Sequence, residues 1–232
     1  MKKRHGQMSE ALSTGLILTV SGGFQDAYTY FCRGKVFANA QTGNIVLMGN
    51  QLARGNWGHA FRYLAPLLAF LCGVYMAEKI RLLFKEHELL HWRQIVVLLE
   101  VLFLFVVGLL PQAWNLPANV LVSFVCAMQV EAFRKMNGNA YASTMCIGNM
   151  RSATEQLFTY RHTKDRAVLK KSLQYYLVIL VFAAGAAFGS VMTEIFQERT
   201  IWISCGMLVV CFLIMFIRED IEQTEEISQW KN

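Results

Sequence analysis

The chain has 232 residues, of which 55% are hydrophobic and only 16% charged, and its mean hydropathy is +0.34. Soluble domains carry about 25% charged residues, so a soluble globular domain is excluded as the reading of the whole chain. The formal charge of +6 sits in polar connectors beside apolar runs. Orientation in a bilayer accounts for it, with no nucleic-acid partner. The six cysteines form no C-x-x-C pair and lie mostly in apolar runs, which implies neither a disulfide framework nor a metal cage.

In chain order, Lys2-Lys3-Arg4 precede the first apolar run, residues 11–31. That run is long for a signal sequence and reads as a retained span with its basic flank in the cytoplasm. Further runs cover 62–78, 94–110, 117–133, 172–194 and 201–217. Each is long enough, or nearly so, for a hydrocarbon core of roughly 30 Å. Residues 37–53 and 139–158 are compatible with helix but rich in Gly, Asn, Ser, Thr and Gln. They either cross, giving eight spans, or dip in and return, giving six. With six spans and a cytoplasmic amino terminus, Arg33, Lys35, Arg54, Arg62 and Arg199 lie outside and every other Lys and Arg lies inside. With eight the bias nearly vanishes, so the positive-inside rule selects six.

Two stretches about 105 positions apart resemble each other. Gly23, Phe24, Asp26, Ala27, Thr42, Gly43 and Asn44 are echoed by Met128, Glu131, Ala132, Ile147, Gly148 and Asn149. Later, Ala69, Gly73 and Glu78 pair with Gly185, Gly189 and Glu194, with an insertion expected in the basic connector 159–171. Because the first and fourth spans run in opposite directions, the expected architecture is all-α. It is a polytopic helical membrane protein of about six spans plus two polar short or re-entrant helices, in an inverted two-half repeat. One membrane domain covers 1–232, with halves at about 11–110 and 117–217 and a cytoplasmic tail at 218–232. Re-entrant backbone has to be buried in protein or line water, so the two polar segments are expected to meet near the centre.

Gly22-Gly23-Phe24-Gln25-Asp26-Ala27 with Thr42-Gly43-Asn44 resembles the YoaK-type family of small bacterial multipass membrane proteins. The segment 129–149 and Leu98-Leu99-Glu100 are similar to it too. Here Ile147-Gly148-Asn149 stands where Thr-Gly-Thr is common in that family. The resemblance implies a bacterial inner-membrane protein of unknown function and supplies no substrate.

The candidate polar-path residues are Asp26, Thr42, Gly43, Asn44, Glu100, Glu131, Gly148 and Asn149. An acid at bilayer depth costs about 3 kcal/mol on insertion scales and faces the protein interior or water. Asp26 reads either as a proton or solute group or as a cap of the following segment, with Arg33 or Lys35 as alternative partners. Glu131 reads either as its counterpart or as the partner of Arg134 and Lys135, one turn away. Glu100, with no basic residue within a turn, reads as a proton carrier or as a neutral glutamate bonded between helices. Thr42-Gly43-Asn44 and Gly148-Asn149 read as solute contacts at half-helix amino termini or as tight helix packing. Arg151 is expected to pair with Glu155. His87-Glu88-Leu89-Leu90-His91 matches the H-E-x-x-H zinc motif, but lies in a charged interfacial connector without a clear third ligand.

The leading expectation is a non-enzymatic secondary transporter or facilitator of a small solute, proton-linked, with no cofactor and no bound metal. The alternatives are a non-transporting membrane scaffold and, behind it, a metalloprotease. The bilayer and an unnamed solute are the expected partners, and homo-oligomerisation is compatible with the pattern.

Overall fold

The computed structural model describes residues 11–84, 91–137 and 139–229. The helices are α1 (Leu12–Cys32), α2 (Gln41–Ala53), α3 (Trp57–Phe84), α4 (Trp92–Val107), α5 (Asn115–Ala132), α6 (Cys146–Thr163), α7 (Arg166–Phe196) and α8 (Ile201–Gln229). Short 3-10 turns at Gln112–Trp114 and Gln197–Thr200 lead into α5 and α8. The fold is all-α as expected, apart from an antiparallel pair of two-residue strands, β1 (Lys135–Met136) and β2 (Asn139–Ala140).

Local chemistry sets the boundaries. At the end of α1 the chain reverses through Gly34 and Lys35, both with positive φ (86° and 63°), and a glycine relieves the first of these. Asp165 caps α7 by accepting from Ala167 N (2.8 Å), and Lys164 closes α6 in the left-handed region. That tight link makes α6 and α7 antiparallel neighbours. His91 caps α4: its Nδ1 accepts from Arg93 N (3.3 Å), while its own N–H donates to Gln94 Oε1 (3.0 Å).

α1 is buried from Thr14 through Thr29 apart from a few partly covered positions. It packs against α7 and α8, and more lightly against α5. α3 packs against α5, α2 against α3, α6 against α7, α4 against α5, and α4 against α8. Glycine permits the closest approaches. A side chain at Gly73 on α3 would strike the Phe124 carbonyl on α5, and one at Gly185 on α7 would strike the Val20 carbonyl on α1. Gly189, the counterpart of Gly73 expected from the sequence, faces the Phe24 carbonyl one turn further along α1.

Two helical stretches are long and apolar enough, by length and composition, to cross a bilayer: Gln112–Ala132, with mean hydropathy 1.3, and Arg166–Met215, with mean hydropathy 2.0. The second joins α7 to the first half of α8. α4 is only 16 residues long, and α1 carries Ser21, Gln25 and Asp26 in its middle. Even so, large apolar side chains face outward while several polar ones are buried among the helices. Leu68, Leu71 and Tyr75 on α3, Leu98, Leu102 and Phe105 on α4, and Leu180, Phe188 and Val191 on α7 are exposed. Ser21, Gln25 and Glu100 are buried. A soluble monomer does not expose continuous apolar faces of this extent.

Candidate functional site

The two polar segments approach α1 from its two ends. After Cys32 the chain turns back along α1 as an irregular strand. Asn39 donates its backbone N–H to Asp26 Oδ1 (2.7 Å) and its Nδ2 to the Gly22 carbonyl (3.2 Å). Gly22 lies nearly three turns, about 15 Å, inside that end of the helix. Only then does α2 begin. In the second half, Tyr141 lies against Gly15, near the other end of α1. Ser143 accepts from Gln129 Nε2 (3.0 Å), and Thr144 reaches Gly22. A β-carbon on Gly22 would stand 2.6 Å from Thr144 Cγ2 and 3.7 Å from Thr144 Cβ. α6 starts immediately afterwards. Both α2 and α6 are unbroken helices whose amino termini follow these buried tips; the irregular backbone precedes each helix and does not interrupt it.

The asparagines of the two motifs make matching bonds. Asn44 Nδ2 donates to the Phe37 carbonyl (2.7 Å) and Asn149 Nδ2 to the Ala142 carbonyl (2.8 Å), seven residues back in each case. Asn44 also accepts from Phe37 N (3.0 Å) and donates to Gln41 Oε1 (2.9 Å). The two amides thus fasten the entry strand to its helix, and their hydrogen bonds stay within their own segments. Gly43 lies against the Phe37 ring, whereas Gly148 is open, and Thr42 is exposed.

Beside the tips lies a polar knot that draws on four helices. Gln25 Nε2 on α1 donates toward Ser21 Oγ (2.9 Å), Ser204 Oγ on α8 (3.0 Å) and Glu100 Oε1 on α4 (3.2 Å). Gln25 Oε1 accepts from Cys126 Sγ on α5 (2.7 Å). Ser21 and Ser204 are 2.7 Å apart. All five side chains are buried. Asn39 Oδ1, Thr144 Oγ1, Gln129 Oε1 and Glu100 Oε2 are buried without a hydrogen-bond partner. This is an unusual concentration for one helix neighbourhood, since nearly all buried polar atoms are paired.

Of the acids singled out from sequence, Asp26 and Glu100 are buried in this region. Asp26 caps the incoming strand, and Arg33 and Lys35 do not pair with it. Arg33, fully buried, donates to Tyr28 Oη (2.7 Å), the Val107 and Pro111 carbonyls (2.9 and 3.3 Å) and Asn115 Oδ1 (3.3 Å). The Lys35 ammonium lies over the Tyr30 ring. Glu131 stands apart, in a charged group at one end of α3 and α5, where it pairs with Arg134 (3.0 Å), which also holds Glu78 (3.0 Å). Arg151 and Glu155 are both exposed and form no ion pair among the described residues. His87 and Glu88 of the H-E-x-x-H match lie outside the described residues. Sequence reading missed Ser21, Gln25, Cys126 and Ser204. The spacing of Ser21 and Gln25, one turn apart within an apolar run, was the available signal.

Two surface clefts flank the bundle. One, of about 650 Å³, is lined by Cys32, Gln112, Asn115, Thr193 and Glu194 among others. The other, of about 690 Å³, is lined by Asn137, Asn139, Gln156, Lys170, Lys171 and Gln174 among others. Neither borders Asn44 or Asn149.

Comparison with known proteins agrees with the motif resemblance. The chain is 27% identical over 209 residues to the UPF0700 transmembrane protein YoaK of Bacillus subtilis (strain 168), covering 86% of this chain and 90% of that relative. No solved structure matches it. Residues 14–214 match the family model described as "Protein of unknown function (DUF1275)", and the chain belongs to that family.

Proposed function

We propose that this membrane protein is a secondary transporter or facilitator of a small solute in the bacterial inner membrane, proton-linked and not an enzyme. It has six spans (α1, α3, α4, α5, α7 and α8), two re-entrant segments that carry α2 and α6, and both termini in the cytoplasm. The observation that carries this reading is the convergence of Asn39 and Thr144 on Gly22, midway along a buried helix. Two half-length helices starting at mid-depth are the arrangement by which many transporters build a solute site at a repeat interface. The packing supports an inverted repeat of four helices each: α1 on α7 as α5 on α3, α2 on α3 as α6 on α7, and α8 on α1 as α4 on α5. Asp26 and Glu100 are the proposed proton-path groups, with Glu131 at the cytoplasmic rim of the path. Thr42, Gly43, Asn44, Gly148 and Asn149 form and border the proposed solute contacts.

Proton uptake into proteoliposomes under a potassium diffusion potential, reported by an enclosed pH dye, tests the proton link. Wild type is expected to exceed Asp26→Asn and Glu100→Gln by about tenfold; equal rates in all three would remove the assignment. A membrane scaffold is the second reading. It is favoured by Asn44 and Asn149 directing their hydrogen bonds to their own segments. It predicts that cysteines introduced at 39 and 144 resist a membrane-impermeant thiol reagent from both sides, whereas the transporter reading predicts labelling above the native background.

A further inference from the structure

Four helices meet at Gln25, and the hydrogen-bond count there does not close. Its Nε2 has Ser21 Oγ, Ser204 Oγ and Glu100 Oε1 within 3.2 Å. A primary amide offers two protons, so three acceptors compete for two. The hydroxyls of Ser21 and Ser204 share one proton between them at 2.7 Å. Glu100 is fully buried, and its Oε2 has no partner. No Lys, Arg or His pairs with it among the described residues, and the buried Arg33 is spent on Tyr28, Val107, Pro111 and Asn115. An ionised carboxylate in this place requires a positive charge beside it.

We infer that Gln25, Glu100, Ser21 and Ser204 form a binding site for a small monovalent cation of sodium size. Turning the Gln25 amide by half a turn puts its Oε1 where Nε2 stands. The amide oxygen then lies within 3.2 Å of the Glu100 carboxylate and of both hydroxyls, and these oxygens are a donor set for a hard cation. The turned Nε2 faces the Cys126 sulfur, a weak acceptor. One carboxylate balances one monovalent charge, whereas a divalent ion would leave the buried cluster positive. The other titratable groups around Glu100 are the thiols of Cys126 on α5 and of Cys205 and Cys211 on α8. Asp26, which also acts on the Cys126 thiol, is engaged by the Asn39 amide. This site stands independently of solute transport, since an ion binds purified protein whether or not a solute moves.

Equilibrium binding of radioactive sodium to the purified full-length protein in detergent, with choline as the filler cation, tests it. Wild type is expected to show saturable binding at about pH 8, displaced by unlabelled sodium or lithium. Glu100→Gln is expected to abolish binding and Ser204→Ala to weaken it severalfold. Should Glu100→Gln fail to fold, Ser204→Ala decides. Absence of saturable binding by the wild type would overturn the site, as would binding that is insensitive to Ser204→Ala.

Discussion

Asn39 and Thr144 reach the same glycine from opposite ends of one helix. Asn39 bonds the Gly22 carbonyl at 3.2 Å, and Thr144 fills the space where a Gly22 side chain would stand. The first prediction follows from that crowding. Gly22→Ala places a methyl 2.6 Å from Thr144 Cγ2. Overpacking of this kind costs about 1–3 kcal/mol. Thr144→Ser removes the obstructing methyl, so the double variant is expected to recover most of the loss. Thermal unfolding of the four proteins in detergent checks it, and a double variant no better than Gly22→Ala would place the crowding elsewhere.

The two motif asparagines are expected to differ in weight. Asn44 makes three side-chain hydrogen bonds and Asn149 one. Removing a partner of a buried amide costs about 1–3 kcal/mol. Asn44→Ala is therefore expected to destabilise more than Asn149→Ala, with the difference visible both in the unfolding midpoint and in proteolysis of the segment around Phe37.

Asp26 separates capping from charge. Asn39 N donates to one of its oxygens, and Asp26→Asn keeps a carbonyl oxygen for that bond while Asp26→Ala does not. The expected order of thermal stability is wild type at or above Asp26→Asn, with Asp26→Ala lower by about 1–3 kcal/mol. If Asn and Ala are equally damaging, the charge matters beyond the cap.

Arg33→Lys is expected to behave as a severe change. The fully buried guanidinium serves four acceptors in different directions. A lysine has three donors at one point and no planar fork, and it leaves a poorly paired buried charge, at a cost of about 3 kcal/mol. Unfolding midpoints compared with Lys35→Arg, which sits over aromatic rings at the surface end, would show the contrast.

His91 gives a pH dependence with a definite sign. Burial first, and then the neighbouring Arg93 guanidinium, hold its imidazole below the ordinary value of about 6.5. The folded protein thus binds that proton less readily than the unfolded chain. The neutral cap contributes fully above about pH 6.5, and its contribution is lost as pH falls through the lowered folded value. His91→Asn, which still caps α4, is expected to flatten this part of the profile. Unfolding midpoints for both proteins between about pH 5 and pH 8 measure it.

The sequence carried more of the architecture than of the chemistry. The echo of Gly43-Asn44 in Gly148-Asn149 located the polar helices α2 and α6, and it did so because Asn44 and Asn149 perform the same local bond. Glu100 stood out because a charge in an apolar run has few uses. Ser204 was illegible: a serine in an apolar helix satisfies itself locally as readily as across the bundle, and only the packing of α8 on α1 brings it to Ser21. Asn39 and Thr144 were missed because irregular backbone has no period to read.

The convergence of Asn39 and Thr144 on Gly22, midway along α1, carries the proposed function. Gly22→Cys combined with Thr144→Cys, oxidised in intact membranes, tests this, because a β-carbon on Gly22 stands 3.7 Å from that of Thr144, within the disulfide range of about 3.5–4.5 Å. The account predicts a bridge between the two positions, identified by the mass of the joined peptides. Folded protein in which both thiols stay free would contradict it.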